Sequence, residues 1–447
     1  MDLLWNQSET PPKSTDLLSL VMLSKSLDKN ISAVSNGYIA RLNKISRNAR
    51  LYLLFILLTT INVGIYGVIF NLYILRLGFK EDFLGLILSL SSASIGIFAI
   101  PAALVCDRLG RKRTLLHSTI FLALSLIFLY NTNSRELLAF FSVAYGIFTA
   151  LSIVAGGTFL VENSEPYERM HLFSIYYIIC TISTLVGNLI GGFMPDLLAG
   201  ALSYDTGGVV PYRLTLYVSL AATVLSILPL IFVEEKGKGF IEEAKRSYRD
   251  IYKSIFKSKV IRRMALVYCL CGVGWGISLP YFNVYFDVAL RASSSQIGLI
   301  FSIAQLAMVV GYILVPMLTE RLGKVRFASS VQILSVPFLL IFAFTSSILV
   351  AAFGYVMRNM LMNMANPAFN SFKLEIVSPE ERSMMNSVTW MACYIFVCFG
   401  TYAGGMMMAG GHSTMPFLVT SVFYGLMAVT YYLYFRKTEN RIDEWAG

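Results

Sequence analysis

The chain has 447 residues, 56% of them hydrophobic, with a mean hydropathy of +0.66. Soluble domains average roughly 45 to 50% apolar residues, so an ordinary soluble protein is excluded. Lys and Arg outnumber Asp and Glu by 36 to 26, a formal net charge of +10, and the placement of those charges along the chain decides whether nucleic acid or a membrane explains them.

Residues 1–49 lack a basic stretch ahead of an apolar core, and Asp16 to Leu27 is too short and too polar for a signal peptide. A cytosolic tail with room for a short interfacial helix is expected there. Twelve apolar runs follow, near 51 to 75, 83 to 105, 114 to 131, 137 to 161, 171 to 195, 212 to 233, 264 to 286, 296 to 318, 327 to 345, 348 to 372, 384 to 410 and 415 to 435. Each is long enough to cross about 30 Å of hydrocarbon as a helix. An even count puts both termini on one side. With the N-terminus in the cytosol, cytosolic segments carry 30 Lys and Arg, against Arg76, Lys80, Arg135, Arg213 and Arg291 outside and Arg358 within a span. That is the positive-inside bias, so the basic charge reflects topology, and no nucleic-acid partner is expected. The six cysteines lie in or at the ends of spans without metal-ligand spacing and read as packing residues.

The chain repeats itself at an offset of 213 residues. Gly85-Leu86 aligns with Gly298-Leu299, Asp107-Arg108-Leu109-Gly110-Arg111 with Glu320-Arg321-Leu322-Gly323-Lys324, and Arg113 with Arg326. The register continues through Glu162 and Glu375, Pro166 and Pro379, Arg169 and Arg382, and Gly187, Gly191 and Gly192 against Gly400, Gly404 and Gly405. Six helices per repeat give two halves of the same topology, related by an axis along the membrane normal. The expected organisation is a cytosolic tail (1–49), a six-helix bundle (50–233), a cytosolic linker (234–263), a second bundle (264–436) and a short cytosolic tail (437–447). In the linker, Glu242, Glu243, Lys245, Arg246 and Arg249 fit either an amphipathic surface helix or a solvated segment.

The loop ALVCDRLGRKR between the second and third spans, echoed by LTERLGKVR between the eighth and ninth, resembles the signature loop of the major facilitator superfamily over residues 50 to 436. Ala103 and Pro316 stand where the family pattern begins with Gly. The resemblance implies an all-α membrane fold of two pseudo-symmetric six-helix bundles and solute transport by alternating access. It also implies gating charges that latch the cytosolic side: Asp107, Arg111, Arg113, Glu162 and Arg169 in one half, Glu320, Lys324, Arg326, Glu375 and Arg382 in the other. The stretch Gly187-Asn188-Leu189-Ile190-Gly191-Gly192 looks like a weakened form of the family's exporter motif. Its glycines recur in the eleventh span, which favours helix packing.

Arg358 lies eleven residues into the tenth span, roughly 16 Å deep at 1.5 Å per residue. A charge there costs about 2.5 to 3.5 kcal/mol on insertion scales, so such residues usually serve a substrate path. Asn359, Asn363, Asn366 and Asn370 form an adjoining polar stripe, with Tyr355 one turn above. By the resemblance, helices 1, 4, 7 and 10 line a central cavity, to which Asn62 and Tyr66, Tyr145, Trp275 and Tyr281 would contribute; Gln305 of helix 8 is a further donor. No Asp or Glu sits at midplane depth, so Arg358 lacks an inbuilt counter-ion and an anionic group on the substrate is expected to supply one.

These features predict a secondary transporter of a small organic solute, anionic rather than cationic, in the cell membrane. The expected partners are that solute and the lipid bilayer, and the expected state is a monomer without cofactor. Export of drugs, amphiphiles or lipids is the alternative, favoured by 19 Met and 13% aromatic residues. A non-transporting sensor or scaffold on the same fold is the reading from another class. No nucleotide loop, zinc-protease or nucleophile-elbow motif argues for an enzyme.

Overall fold

The structure, a computed structural model, describes residues 46–164, 169–234, 258–378 and 381–446. The helices considered for the N-terminal tail and for residues 235–257 of the linker lie outside the described residues. Among the described residues, twelve helices are long and apolar enough to span a membrane. In the N-terminal half these are α1 (Arg47–Arg76), α2 (Glu81–Leu109), α3 (Arg111–Asn131), α4 (Arg135–Glu162), α5 (Arg169–Leu202) and α6 (Val209–Leu225, continued by Ile227–Ile231). In the C-terminal half they are α7 (Lys259–Ser278, then a 3-10 turn Leu279–Tyr281 and Phe282–Val288), α8 (Ser294–Leu322), α9 (Lys324–Phe344), α10 (Ile348–Glu375), α11 (Arg382–Ala409) and α12 (Met415–Ala446). The last helix runs on through the segment expected as a tail after residue 436, and α7 begins inside the expected linker.

Local chemistry sets many of these boundaries. The side chains of Ser46, Ser134 and Ser258 cap α1, α4 and α7 by accepting from backbone N–H groups three residues on. Ser293 and Gln296 form a reciprocal capping box on α8. Gly110 and Gly323, which the repeat aligns, turn the chain between α2 and α3 and between α8 and α9 at φ of +90° and +80°, a left-handed region that favours glycine. Pro280, which has no N–H to donate, sits in the 3-10 turn that interrupts α7.

Within each half the aligned glycines serve close packing. A Cβ on Gly187 would enter the α1 backbone at Ile61, and one on Gly400 would enter α7 at Val273. Between the halves, α2 crosses α11 at Gly85 and Gly405, and α5 crosses α8 at Gly192 and Gly298. Since the repeat pairs Gly85 with Gly298 and Gly192 with Gly405, these two crossings are symmetry-related copies.

We call the face bearing the start of α1 and the end of α12 the terminal face, and the opposite one the distal face. On the distal side one buried cluster runs through both halves, joining Leu72, Tyr73 and Tyr130 to Phe282, Phe286 and Phe342. On the terminal side the core divides in two. One cluster, including Tyr52, Phe55 and Phe159, belongs to the N-terminal half, and another, including Tyr268, Phe372 and Tyr431, to the C-terminal half. Among the described residues the buried core is continuous between the halves on the distal side and divided between them toward the terminal face.

Candidate functional site

The distal closure is built from a second repeat, at offset 212. Phe70-Asn71-Leu72-Tyr73 in α1 matches Phe282-Asn283-Val284-Tyr285 in α7. Tyr73 donates to the Tyr130 carbonyl at 2.7 Å, and Tyr285 to the Ala343 carbonyl at 3.0 Å, so each half anchors its strand of the repeat in the same way. Asn71 Nδ2 donates to Asn283 Oδ1 at 3.1 Å and to the Pro280 carbonyl. Asn283 Nδ2 returns the contact to the carbonyls of Gly67 and Val68, at 3.2 and 3.0 Å. One turn further out, Arg76 grips Asp287 through two hydrogen bonds of 2.7 and 3.0 Å, a bidentate charge-assisted geometry.

The residues expected around the substrate divide between the two halves. In the N-terminal half Tyr66 stacks on Tyr145 at 5.5 Å and on Phe70 at 4.3 Å, the two tyrosines half-buried and Phe70 buried. Asn62 is buried nearby, its Oδ1 without a hydrogen-bond partner. In the C-terminal half Arg358 is 2% exposed. Its guanidinium lies between the rings of Phe282 and Tyr424, 5.1 and 5.3 Å away, and donates to the Tyr424 hydroxyl at 2.7 Å. Its Nε has no partner. Tyr355 is stacked on Phe301. Asn359 donates to the Met308 sulfur, and Asn363 to the Asn359 carbonyl and side chain. Trp275 and Gln305 are partly exposed. Tyr281 is fully buried, donates to the Thr401 carbonyl and sits against Gly85 and Gly405. In this conformation Tyr281 is therefore part of the distal crossing, and Arg358 is enclosed by its own half.

The expected gate charges assemble, but each set stays within one half. Arg111 pairs with Asp107 at 2.6 Å and with Glu162 at 3.0 Å, tying the α2–α3 turn to the end of α4. Lys324 pairs with Glu375 at 2.6 Å, and Arg382 donates to the Leu374 carbonyl at 3.0 Å. Glu320, Arg113 and Arg326 are exposed, and the Arg169 side chain lies outside the described residues. The described ion pair that crosses between halves is Arg76–Asp287, on the other face.

A second enclosed cation lies near the terminal face. Lys373, in the last turn of α10, is 1% exposed. Its ammonium donates to Asn386 Oδ1 at 2.9 Å and sits 5.0 Å from the Tyr268 ring and 5.8 Å from the Trp390 ring.

The sequence profile of the Major Facilitator Superfamily matches residues 52–401 and, separately, 264–444, the second match falling on the second half. The chain belongs to the major facilitator superfamily. Among relatives, it is 30% identical over 158 residues to "Efflux pump azaK" of Aspergillus niger, a match covering 34% of this chain and 32% of that pump. An uncharacterized membrane protein of Saccharomyces cerevisiae is 23% identical over 324 residues, covering 64% of this chain and 71% of that one. Among solved structures, a bacterial homologue of the human lysosomal transporter Spinster, in an inward-facing and occupied conformation, superposes with a TM-score of 0.71 at 17% identity, covering 87% of this chain and 96% of that one.

As a major facilitator transporter, the chain carries two sets of residues that its sequence did not single out. Asn71, Asn283, Arg76 and Asp287 form the distal closure; the signal for the asparagines is the offset of 212, one residue out of step with the rest of the repeat, and the Arg76–Asp287 pair, 211 apart, falls on neither offset. Lys373 falls among the cytosolic charges by its place at a helix end, where a lysine ordinarily extends into water. Nothing in its spacing indicates that it turns inward.

Proposed function

We propose that this protein is a secondary transporter that moves a small organic solute, anionic rather than cationic, by alternating access between its two halves. The observation that carries the reading is the asymmetry of the core: one shared cluster on the distal side, two separate clusters on the terminal side. Two rigid halves joined at one face and parted at the other make one end state of a rocking cycle. The bias of 30 basic residues against five supports a cytosolic terminal face, which makes the conformation inward-facing. Arg358, Asn359, Asn363 and Tyr355 on α10, with Trp275 and Gln305 in the same half and Asn62, Tyr66 and Tyr145 across the centre, are proposed to meet solute during the cycle. The paired charges around Arg111 and Lys324 are proposed to latch the terminal face in the opposite state. A single chain contains both halves of the pathway, so the working unit is a monomer.

Export of a drug-like amphiphile is the second reading, supported by the 30% identity to a fungal efflux pump over a third of this chain. The test is flux in proteoliposomes with a panel of organic anions, neutral solutes and cationic amphiphiles, with spin labels at Asn133 and Ser346 on the distal loops. Solute-dependent flux together with a lengthening of the label distance supports alternating access, and the solute class that moves separates the two readings. No flux with any class and a fixed label distance overturns both.

A further inference from the structure

The C-terminal half holds two buried cations on one helix, Arg358 and Lys373, fifteen residues apart and so about 22 Å apart along α10. No described ion pair involves either. Arg358 is covered by Phe282 and Tyr424 inside its own half. Lys373 is covered differently. A lysine in the last turn of a membrane helix can run its stem to the interface and leave the ammonium in water, and the negative end of the helix dipole rewards a cation there. Lys373 gives up the water: it is 1% exposed and folds inward between the Tyr268 and Trp390 rings, with a single hydrogen bond, to Asn386. An ammonium has three N–H donors, and ring faces are weak substitutes for the anionic oxygens it would bind in full.

The lid over this ammonium is on the open side. Asn386 is exposed and Trp390 is 37% exposed, on the part of α11 that extends toward the terminal face beyond its crossing with α2 at Gly96 and Tyr394. From Trp390 the rings continue inward as a row, Trp390 to Tyr394 at 6.0 Å and Tyr394 to Trp275 at 6.0 Å. The row leads from the lysine toward the middle of the membrane, between the halves.

We infer that Lys373, Asn386 and the rings of Tyr268 and Trp390 form an entry subsite for planar organic anions, whose carboxylate or comparable acidic group pairs with the Lys373 ammonium while the flat apolar body stacks on the Trp390–Tyr394–Trp275 row. The anion displaces the Asn386 contact and supplies the counter-charge that Lys373 lacks among the described residues, and the rings provide a succession of faces along which the body moves inward. A neutral isostere gains only the stacking, and a cationic one is repelled by the ammonium. The assignment of this site to a transport path rests on the function proposed above; the binding itself does not.

The test is calorimetric and thermal-shift binding of 2-naphthoate, neutral 2-naphthamide and cationic 2-naphthylmethylamine to the purified full chain. The expected result is that 2-naphthoate binds wild type, that the amide and the amine bind at least tenfold more weakly, and that K373Q loses at least tenfold in naphthoate affinity while its amide affinity is unchanged. W390L weakens both naphthoate and naphthamide. If K373Q does not fold, K373R, which keeps the charge, retains naphthoate affinity within a few fold, and W390L still lowers it. Equal naphthoate affinity in wild type and K373Q, no naphthoate binding to wild type, or unchanged affinity in W390L overturns the site. Flux distinguishes the two proposals: naphthoate binding that depends on Lys373 without any flux sinks transport and leaves the subsite standing, whereas flux that ignores Lys373 does the reverse.

Discussion

Asn71 of α1 and Asn283 of α7 hydrogen-bond to each other across the boundary between the halves, from positions that the chain's own repeat makes equivalent. Each also donates to backbone carbonyls of the partner helix. Removing Asn71 takes a donor from Asn283 Oδ1 and from the Pro280 carbonyl, and removing Asn283 takes an acceptor from Asn71 and a donor from the Gly67 and Val68 carbonyls. A buried group left unsatisfied costs about 1 to 3 kcal/mol, all of it from the distally closed state, because these contacts break when the halves part on that side. N71A and N283A are therefore expected to shift the population toward distal opening by about 5- to 150-fold. Spin labels at Asn133 and Ser346 read the shift directly, as a longer distance in both variants. An unchanged distance would mean that the pair does not hold the closure.

The ion pair one turn further out should act in the same direction with a different signature. Arg76 and Asp287 are only partly exposed, with side-chain accessibilities of 27% and 10%. Hydrogen bonds to charged groups contribute about 1.5 to 3 kcal/mol, and the electrostatic part is weakened by salt. D287N is expected to favour distal opening. Raising the ionic strength should move wild type toward the D287N distance and leave D287N almost unaffected. A wild-type distance that ignores salt would assign the closure to the asparagines and glycines alone.

Much of this fold could be read before any coordinates. Hydrophobic runs at membrane-spanning length gave twelve helices, and the offset of 213 gave two equivalent halves, because lipid imposes length and apolarity on every span and the duplication keeps glycines where helices touch. What the sequence could not convey is direction within a helix. Arg358 is midway along α10 as counted, yet depth says nothing about azimuth, and its side chain turns toward Phe282 and Tyr424 within its own half. The same gap separates Tyr281 from its expected place at the cavity: a 3-10 turn at Pro280 interrupts α7, and the ring is buried at the glycine crossing. The charge clusters were legible as groups, but which face is closed is a property of conformation, which one sequence shared by both end states does not encode.

The glycine crossings offer a test of closure by size alone. A Cβ at Gly298 would lie 2.7 Å from the Gly192 Cα, and one at Gly85 would lie 2.9 Å from the Gly405 Cα. Backbone cannot give way as a flexible side chain does, and interiors packed to crystal-like density leave no slack. G298V and G85V are expected to hold the distal side open, lengthening the Asn133–Ser346 distance by several ångströms and abolishing flux, while secondary structure by circular dichroism stays unchanged. Wild-type flux in either variant would show that the halves need not approach so closely during the cycle.

Arg358 and Tyr424 yield a prediction about stability. The guanidinium receives one hydroxyl acceptor and two ring faces in exchange for its hydration, and its Nε is unpaired. Y424F takes away the hydroxyl and leaves the charge, so it should lower stability by about 1 to 3 kcal/mol, the cost of abandoning a buried partner. R358M removes the charge and keeps an unbranched apolar stem among the rings. Once the charge is gone the Tyr424 hydroxyl has far less to contribute, so R358M/Y424F should be no less stable than R358M alone, within about 0.5 kcal/mol. Thermal denaturation of the four proteins in one detergent makes the comparison. If the double variant instead loses the sum of the two single effects, Arg358 and Tyr424 act independently, and the arginine is held by something other than the hydroxyl.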